Sequence, residues 1–267
     1  FADDNIHNVI KRSSAVNKVF YNPLSDYTPW KSWEDKSFGD AKPTEAPWDP
    51  YDGDPGTINL TTKKSYDRWY SSTSNLDGRS TSNSSLDYWP ITFFVYKGSG
   101  SEFEIKNYTG YQIRGSKAYT KNMGSTKSWQ EMTTKFTWSK TQIVNGVEQT
   151  TTINRTVAEE TQHFANWFTY YRSRILAARA GTSDAFASVP EGFRIGFKTL
   201  SSDSGKTLKI PLPDDPADIE QGTFFGDNKK NWFKKLFEVP MNNSTPLRNA
   251  LKWVGEEYSS TSSTGPW

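Results

Sequence analysis

The stretch Thr156-Val-Ala-Glu159 followed by apolar residues at steps of three and four constrains this chain more than any other. Thr156 is placed to accept from the amide of Glu159 while the Glu159 carboxylate returns to the amide of Thr156, which starts a helix and fixes its first turn. Phe164, Phe168, Tyr171, Ile175, Ala178, Thr182 and Phe186 then form one stripe, which predicts a single core-facing helix of about seven turns. Packing accounts fully for a stripe of this kind, because burying each large ring stabilises by roughly 1.5–3 kcal/mol.

Such a helix needs a partner surface, and the rest of the chain must supply it with unusual material. Apolar residues make up only 34% of the 267 residues while aromatic residues reach 15%, so the interior must lean on Trp, Tyr and Phe. There is no cysteine, and a chain of this length can bury a sizeable core without staples. Net charge is only +2, too balanced for the electrostatic footprint of a nucleic-acid or anionic-lipid binder. No apolar run approaches the ~20 residues of a membrane helix, so no membrane insertion is expected. The sequence runs from Phe1 to Thr264-Gly-Pro-Trp267 without a starting Met, and reads as a segment of something longer.

Residues 1–155 read as strands and long loops. Phe20-Tyr-Asn-Pro23 and Tyr27-Thr-Pro-Trp30 are turns, since proline blocks helix and restricts the residue before it. Ile91–Tyr96 is a predicted strand ended by Gly98-Ser-Gly-Ser101. Thr141–Thr150 is a predicted hairpin, because Asn145-Gly146 accepts the positive φ of a tight type I′ turn. After the long helix, Phe193–Phe197 and Leu208–Ile210 are predicted strands. A helix capped by Asp227 or Asn228 should carry Trp232, Phe233, Leu236 and Phe237, and a last helix should follow Thr245 with Leu247, Leu251, Val254 and Tyr258 as its stripe. Helix, strand, strand, helix, helix suits part of a layered α/β domain. The expected division is therefore a β-rich, loop-rich region over 1–155 and an α/β region over 156–267.

Few residues suggest chemistry. With His7 and His163 as the two histidines and no cysteine, a zinc site of the usual kind lacks its ligands. His163 reads as a packed or solvated helix residue, and Glu159 and Glu160 as a solvated helix start favourably placed on the dipole. Asp49, Asp52 and Asp54 share a turn-rich loop whose oxygens suit calcium, but the spacing fails the EF-hand pattern and an acidic turn is the simpler reading. Thr245, followed by Pro246, forms a helix cap; a hydroxyl so placed also suits a divalent cation if carboxylates and serines complete an oxygen shell. Trp30, Trp33, Trp48, Trp69 and Trp89 offer a second reading, a secreted β-rich carbohydrate-binding protein stacking sugars on exposed indoles.

Arg12-Ser-Ser-Ala-Val-Asn17, Val19-Phe-Tyr-Asn-Pro23, Tyr96-Lys-Gly-Ser-Gly-Ser101, Phe164–Arg174 and Ser244-Thr-Pro-Leu-Arg248 together resemble the N-terminal region of the PilY/PilC family of type IV pilus tip adhesins and biogenesis factors. The resemblance implies an incomplete von Willebrand factor A-like (Rossmann-type) layered domain beginning at Thr156, with residues 1–155 as a large β-rich insertion. It implies a non-enzymatic module for adhesion and pilus assembly on the bacterial surface, extracellular, with minor pilins or other pilus components and host surface or matrix proteins as partners. It also implies that Thr245 belongs to a metal-ion-dependent adhesion site for Mg²⁺ or Ca²⁺. No Asp-x-Ser-x-Ser loop occurs here, so the other ligands would come from remaining segments of a longer precursor, and the chain alone is expected to need those segments, or another copy, for stability.

Overall fold

A computed structural model describes residues 5–51, 56–68, 84–199, 222–239 and 247–259. The chain forms two compact units: Phe1–Thr28 with Asp40–Arg174, and Pro29–Gly39 with Ile175–Trp267. The division falls at 174, whereas the sequence pointed to 155. The hairpin and the helix after it are held to the first unit by the buried rings and hydrogen bonds described below.

In the first unit the chain passes through helix α1 (Ile6–Lys11), the short pair β1 (Ala46–Pro47) and β2 (Thr57–Ile58), and the hairpin β3 (Lys64–Arg68) and β4 (Ser84–Tyr88). It continues through β5 (Thr92–Tyr96), β6 (Tyr108–Arg114), β7 (Lys117–Asn122) and β8 (Gln130–Glu131), which form an antiparallel sheet in that order. The predicted strand over 91–96 is thus the edge of a four-stranded sheet. The hairpin β9 (Phe136–Val144) and β10 (Val147–Arg155) follows, then helix α2 (Val157–Tyr170).

Alternation along β5 and β6 gives the sheet two different faces. Phe94 and Tyr108 point to one, where they pack with Val9 and Met123 under α1. Gly110 of β6 lies on this face and has to be glycine, since an added Cβ would sit 2.8 Å from Trp129 and 3.0 Å from Phe94. Phe93 and Tyr111 stack at 5.5 Å on the opposite face, and Tyr111 meets Trp138 of β9 at 5.0 Å. There Tyr21 and Phe164 join them, with ring centroids 4.9 Å apart, so the aromatic excess is spent on one continuous ring cluster.

The hairpin forms as predicted, with φ of 52° at Asn145 and 78° at Gly146. Its base is buried through Phe136 and Trp138, while the remainder is largely exposed, including Ile143 and Val147 near the turn. Hydroxyl and amide pairs cross it at Thr141–Thr150 (2.9 Å), Ser139–Thr152 (3.5 Å) and Thr137–Asn154 (2.9 Å).

The capping box is present in full: Thr156 Oγ1 accepts from the Glu159 amide at 3.2 Å and the Glu159 carboxylate accepts from the Thr156 amide at 2.7 Å. The single seven-turn helix is not. α2 ends at Tyr170 and α3 (Arg174–Ala187) starts anew, because Arg172 turns back on the helix. Its Nη1 donates to the Phe168 carbonyl at 2.7 Å, its Nη2 to the Trp48 carbonyl, and its guanidinium lies over the Phe168 and Trp48 rings at 4.6 and 5.1 Å. Across this break the buried face of α3 shifts by one position, to Leu176, Arg179, Ala180, Ser183 and Ala187, and leaves Ala178 of the predicted stripe exposed.

In the second unit α4 (Gly226–Phe237) buries Trp232, Phe233, Leu236 and Phe237 as expected, although its cap is Phe225 rather than Asp227 or Asn228. Trp30 stacks flat on Phe237 at 5.1 Å, and Phe186 on Trp232 at 4.4 Å. The strand predicted over Phe193–Phe197 is absent: the segment is irregular, with a single bridge position at Phe197. Its carbonyls serve other groups, since Phe193 accepts from the Phe224 amide at 2.6 Å and Gly196 from the Trp232 indole at 3.0 Å. α5 (Leu247–Ser259) forms, but Leu251, Val254 and Tyr258 of its stripe are exposed. Leu208–Ile210 lies outside the described residues. Among the described residues no helix is long and apolar enough to cross a membrane.

Candidate functional site

The first unit carries a groove of about 640 Å³. One wall is the turn-rich segment Ser13–Leu24, another is the sheet at Val95, Thr109 and Tyr111, and the third is β9 at Thr137, Trp138 and Ser139. Hydroxyls and amides dominate its lining, and Lys18 and Lys97 give it positive charge. A two-residue turn makes Val144 and Val147 a hydrogen-bonded pair, so the backbone groups of Thr137, Ser139, Thr141 and Ile143 point away from β10. Among the described residues no backbone bond covers that edge of β9.

A buried polar cluster ties together the segments that carry Pro23 and Trp138 of the lining. Glu160 is fully buried: its Oε1 meets the Tyr21 hydroxyl at 2.7 Å, and its Oε2 accepts from the Trp138 indole at 3.0 Å and from Arg155 Nη1 at 3.2 Å. Arg155 also donates to the Pro23 carbonyl at 2.7 Å, tying the turn to the end of β10. His163 Nδ1 meets the Tyr21 hydroxyl at 2.6 Å, and its Nε2 meets the Ser25 carbonyl at 2.8 Å. Two walls of the groove, the turn-rich segment and β9, are therefore tied to one carboxyl group.

Two proton arrangements with the same total satisfy these contacts. In one, Glu160 is ionised and His163 carries both ring protons. In the other, a protonated Glu160 donates to Tyr21, Tyr21 donates to Nδ1, and Nε2–H donates to Ser25. Burial raises the Glu160 carboxyl from its ordinary value, against the lowering effect of the Tyr21 and Trp138 hydrogen bonds and of Arg155, and it lowers His163 to about 4, assisted by the charge of Arg155; both directions favour the second. Burial also pushes the Tyr21 phenol well up, so it stays protonated.

α2 carries the rest of the scaffold. Trp167 donates its indole N–H to Val19 at 3.0 Å, and Asn166 accepts from the Ala41 amide at 2.9 Å while donating to Asp40 at 2.8 Å. The Phe164–Arg174 run thus holds the irregular N-terminal segments in place with its polar as well as its aromatic side chains.

Thr245, Asp52 and Asp54 lie outside the described residues. Asp49 accepts from the Tyr51 amide at 2.9 Å, the bond of an ordinary acidic turn. Among the described residues no three His, Asp or Glu side chains come close enough to hold a metal ion, and Thr245, where the cation is expected, lies outside them. Glu160 corrects the reading of a solvated helix start: it lies one turn before Phe164 on the inner stripe, a spacing already visible in the sequence. The tryptophans do not make an exposed row, since Trp30 is buried, Trp33, Trp48 and Trp89 are half-buried, and Trp69 lies outside the described residues. Nothing local in the sequence signals that Tyr21 and Trp138, 139 and 22 residues away, converge with Arg155 on the Glu160 carboxyl.

The chain is similar to type IV pilus biogenesis factors of Pseudomonas aeruginosa. Against PilY1 of strain PAO1 it is 33% identical over 119 residues, covering 41% of this chain and 10% of the relative. Against PilY1 of strain PAK it is 28% identical over 190 residues, covering 69% of this chain and 14% of the relative. It therefore spans about a tenth to a seventh of the length of these curated relatives. No protein-family profile matches the chain, and no solved structure matches it significantly.

Proposed function

We propose that this chain is a module for type IV pilus assembly and surface attachment, working outside the bacterial cell and binding pilus components such as minor pilins. The observation that carries the reading is the similarity to type IV pilus biogenesis factors over 69% of the chain. The groove adds a mode of contact: an extended polypeptide lying along β9 would pair with the outward groups of Thr137 and Ser139. Lys18 and Lys97 would favour an acidic segment. The role is binding, with no catalytic step assigned to it. Completion of a layered A-type domain, attachment to a host surface, and a cation at Thr245 belong to the same proposal, but they need donors and strands beyond the described residues, and no step of the proposal passes through the cation.

The test is made in the bacterium that encodes the chain. Deleting the coding sequence of residues 1–267 should reduce pili sheared from the cell surface, with pilin still present in whole cells by immunoblot. Lys18→Glu with Lys97→Glu should weaken capture of pilus subunits while leaving the melting temperature of the purified chain unchanged. Wild-type piliation in the deletion strain would overturn the proposal.

A further inference from the structure

A second concavity of the first unit, about 210 Å³, is lined by Arg12, Lys63, Asp87, Trp89, Arg114 and Trp129 among others. We propose that it binds a single carboxylate-bearing sugar residue, with the carboxylate on the Arg114 fork and the ring against the Trp89 and Trp129 indoles. This does not rest on the pilus reading.

Arg114 is fixed before any ligand arrives. Its Nε donates to Gln112 Oε1 at 2.7 Å, Gln112 Nε2 donates to Thr92 Oγ1 at 3.0 Å, and Thr92 Oγ1 donates to the Trp89 carbonyl at 2.7 Å. Gln112 and Thr92 are 4% and 1% exposed, so this relay is rigid and dry. The guanidinium is stacked on Tyr119 at 4.2 Å and lies 5.8 Å from the Trp89 ring. Among the described residues neither terminal nitrogen of Arg114 makes a hydrogen bond or ion pair, which leaves a planar pair of donors of the shape that binds a carboxylate in bidentate fashion. A buried amide spent on orienting a half-buried arginine whose ends are unused is poorly explained by folding alone.

The charge and size of the cleft point the same way. Among the described lining residues Arg12, Lys63 and Arg114 outnumber the one carboxylate, Asp87, which pairs with Lys63, a balance suited to an anion. The volume is below the roughly 300–1,000 Å³ of sites for drug-sized ligands, which limits the occupant to about one six-membered ring. Indole faces beside a polar fork suit a sugar ring, which has an apolar face and a hydroxylated rim.

The test is calorimetric titration of the 267-residue chain with glucuronate, glucose and benzoate at low and high salt. Glucuronate should saturate at millimolar concentration, glucose should bind at least about tenfold more weakly, and the difference should shrink at high salt as the exposed part of the contact is screened. Arg114→Lys keeps the charge but loses the fork, and should weaken glucuronate about tenfold with an unchanged circular dichroism spectrum. The salt series on the wild-type chain keeps the test valid if that variant misfolds. Equal affinity for glucose and glucuronate, tighter binding of benzoate than of glucuronate, or no saturation by any of the three would overturn the proposal.

Discussion

Replacing Glu160 by glutamine tests how the buried cluster beside the groove is built. If Glu160 is protonated, glutamine reproduces every contact: its carbonyl accepts from Trp138 and Arg155 as Oε2 does, and its amide donates to Tyr21 where the acid proton was. The expected cost at pH 7 is within about 1 kcal/mol, the worth of one ordinary hydrogen bond. Glu160→Ala instead leaves the Trp138 indole without a partner in a buried site, while Tyr21 keeps His163 and Arg155 keeps Pro23, and should cost roughly 1–3 kcal/mol for the stranded donor, with the vacated volume adding to it. Urea unfolding followed by tryptophan fluorescence measures both, since Trp138 and Trp167 report on this unit. The pH dependence adds a sign. A carboxyl whose folded pKa is raised gives the folded state an advantage that is complete below its unfolded value of 4.5 and is lost as pH rises through the folded value. Glutamine has no such loss, so its stability relative to wild type should improve with rising pH. A glutamine variant as damaged as the alanine variant, and increasingly so at higher pH, would show an ionised Glu160 paired with Arg155 and refute the assignment.

His163 gives the opposite pH signature. Its folded pKa is depressed from 6.5 to about 4, so its contribution is full above 6.5 and is lost as pH falls through that window, by on the order of 2 kcal/mol after allowing for its partial exposure. A His163→Gln chain should show a flatter stability profile between pH 6.5 and 4 in the same urea assay. Gly110→Ala forces a Cβ against Trp129 and Phe94, and should cost about 1–3 kcal/mol through overpacking, read as a lower urea midpoint. Thr156→Ala removes half of the capping box and should cost about 1 kcal/mol by the same measurement. A cooperative, monomeric melt of residues 1–267 alone, followed by circular dichroism and sedimentation, would refute the expectation that the chain needs neighbouring segments or a second copy.

Local signals determined what depends on neighbours in sequence. Asn145-Gly146 set its own turn because both residues tolerate positive φ, and Thr156 with Glu159 set its own helix start because the two groups are three residues apart. The burial of Trp232, Phe233, Leu236 and Phe237 follows likewise from helical spacing. Tertiary structure decided the rest. The helix break at Arg172 depends on carbonyls of both Phe168 and Trp48, and Phe193–Phe197 is not a strand because Phe224 and Trp232 take its carbonyls. The buried cluster exists only in the folded chain, because Tyr21 and Trp138 reach the Glu160 carboxyl from 139 and 22 residues away. Spacing within a sequence specifies which groups share a face, whereas the protonation and function of a buried group depend on what is packed against that face, and only the folded chain brings those partners together.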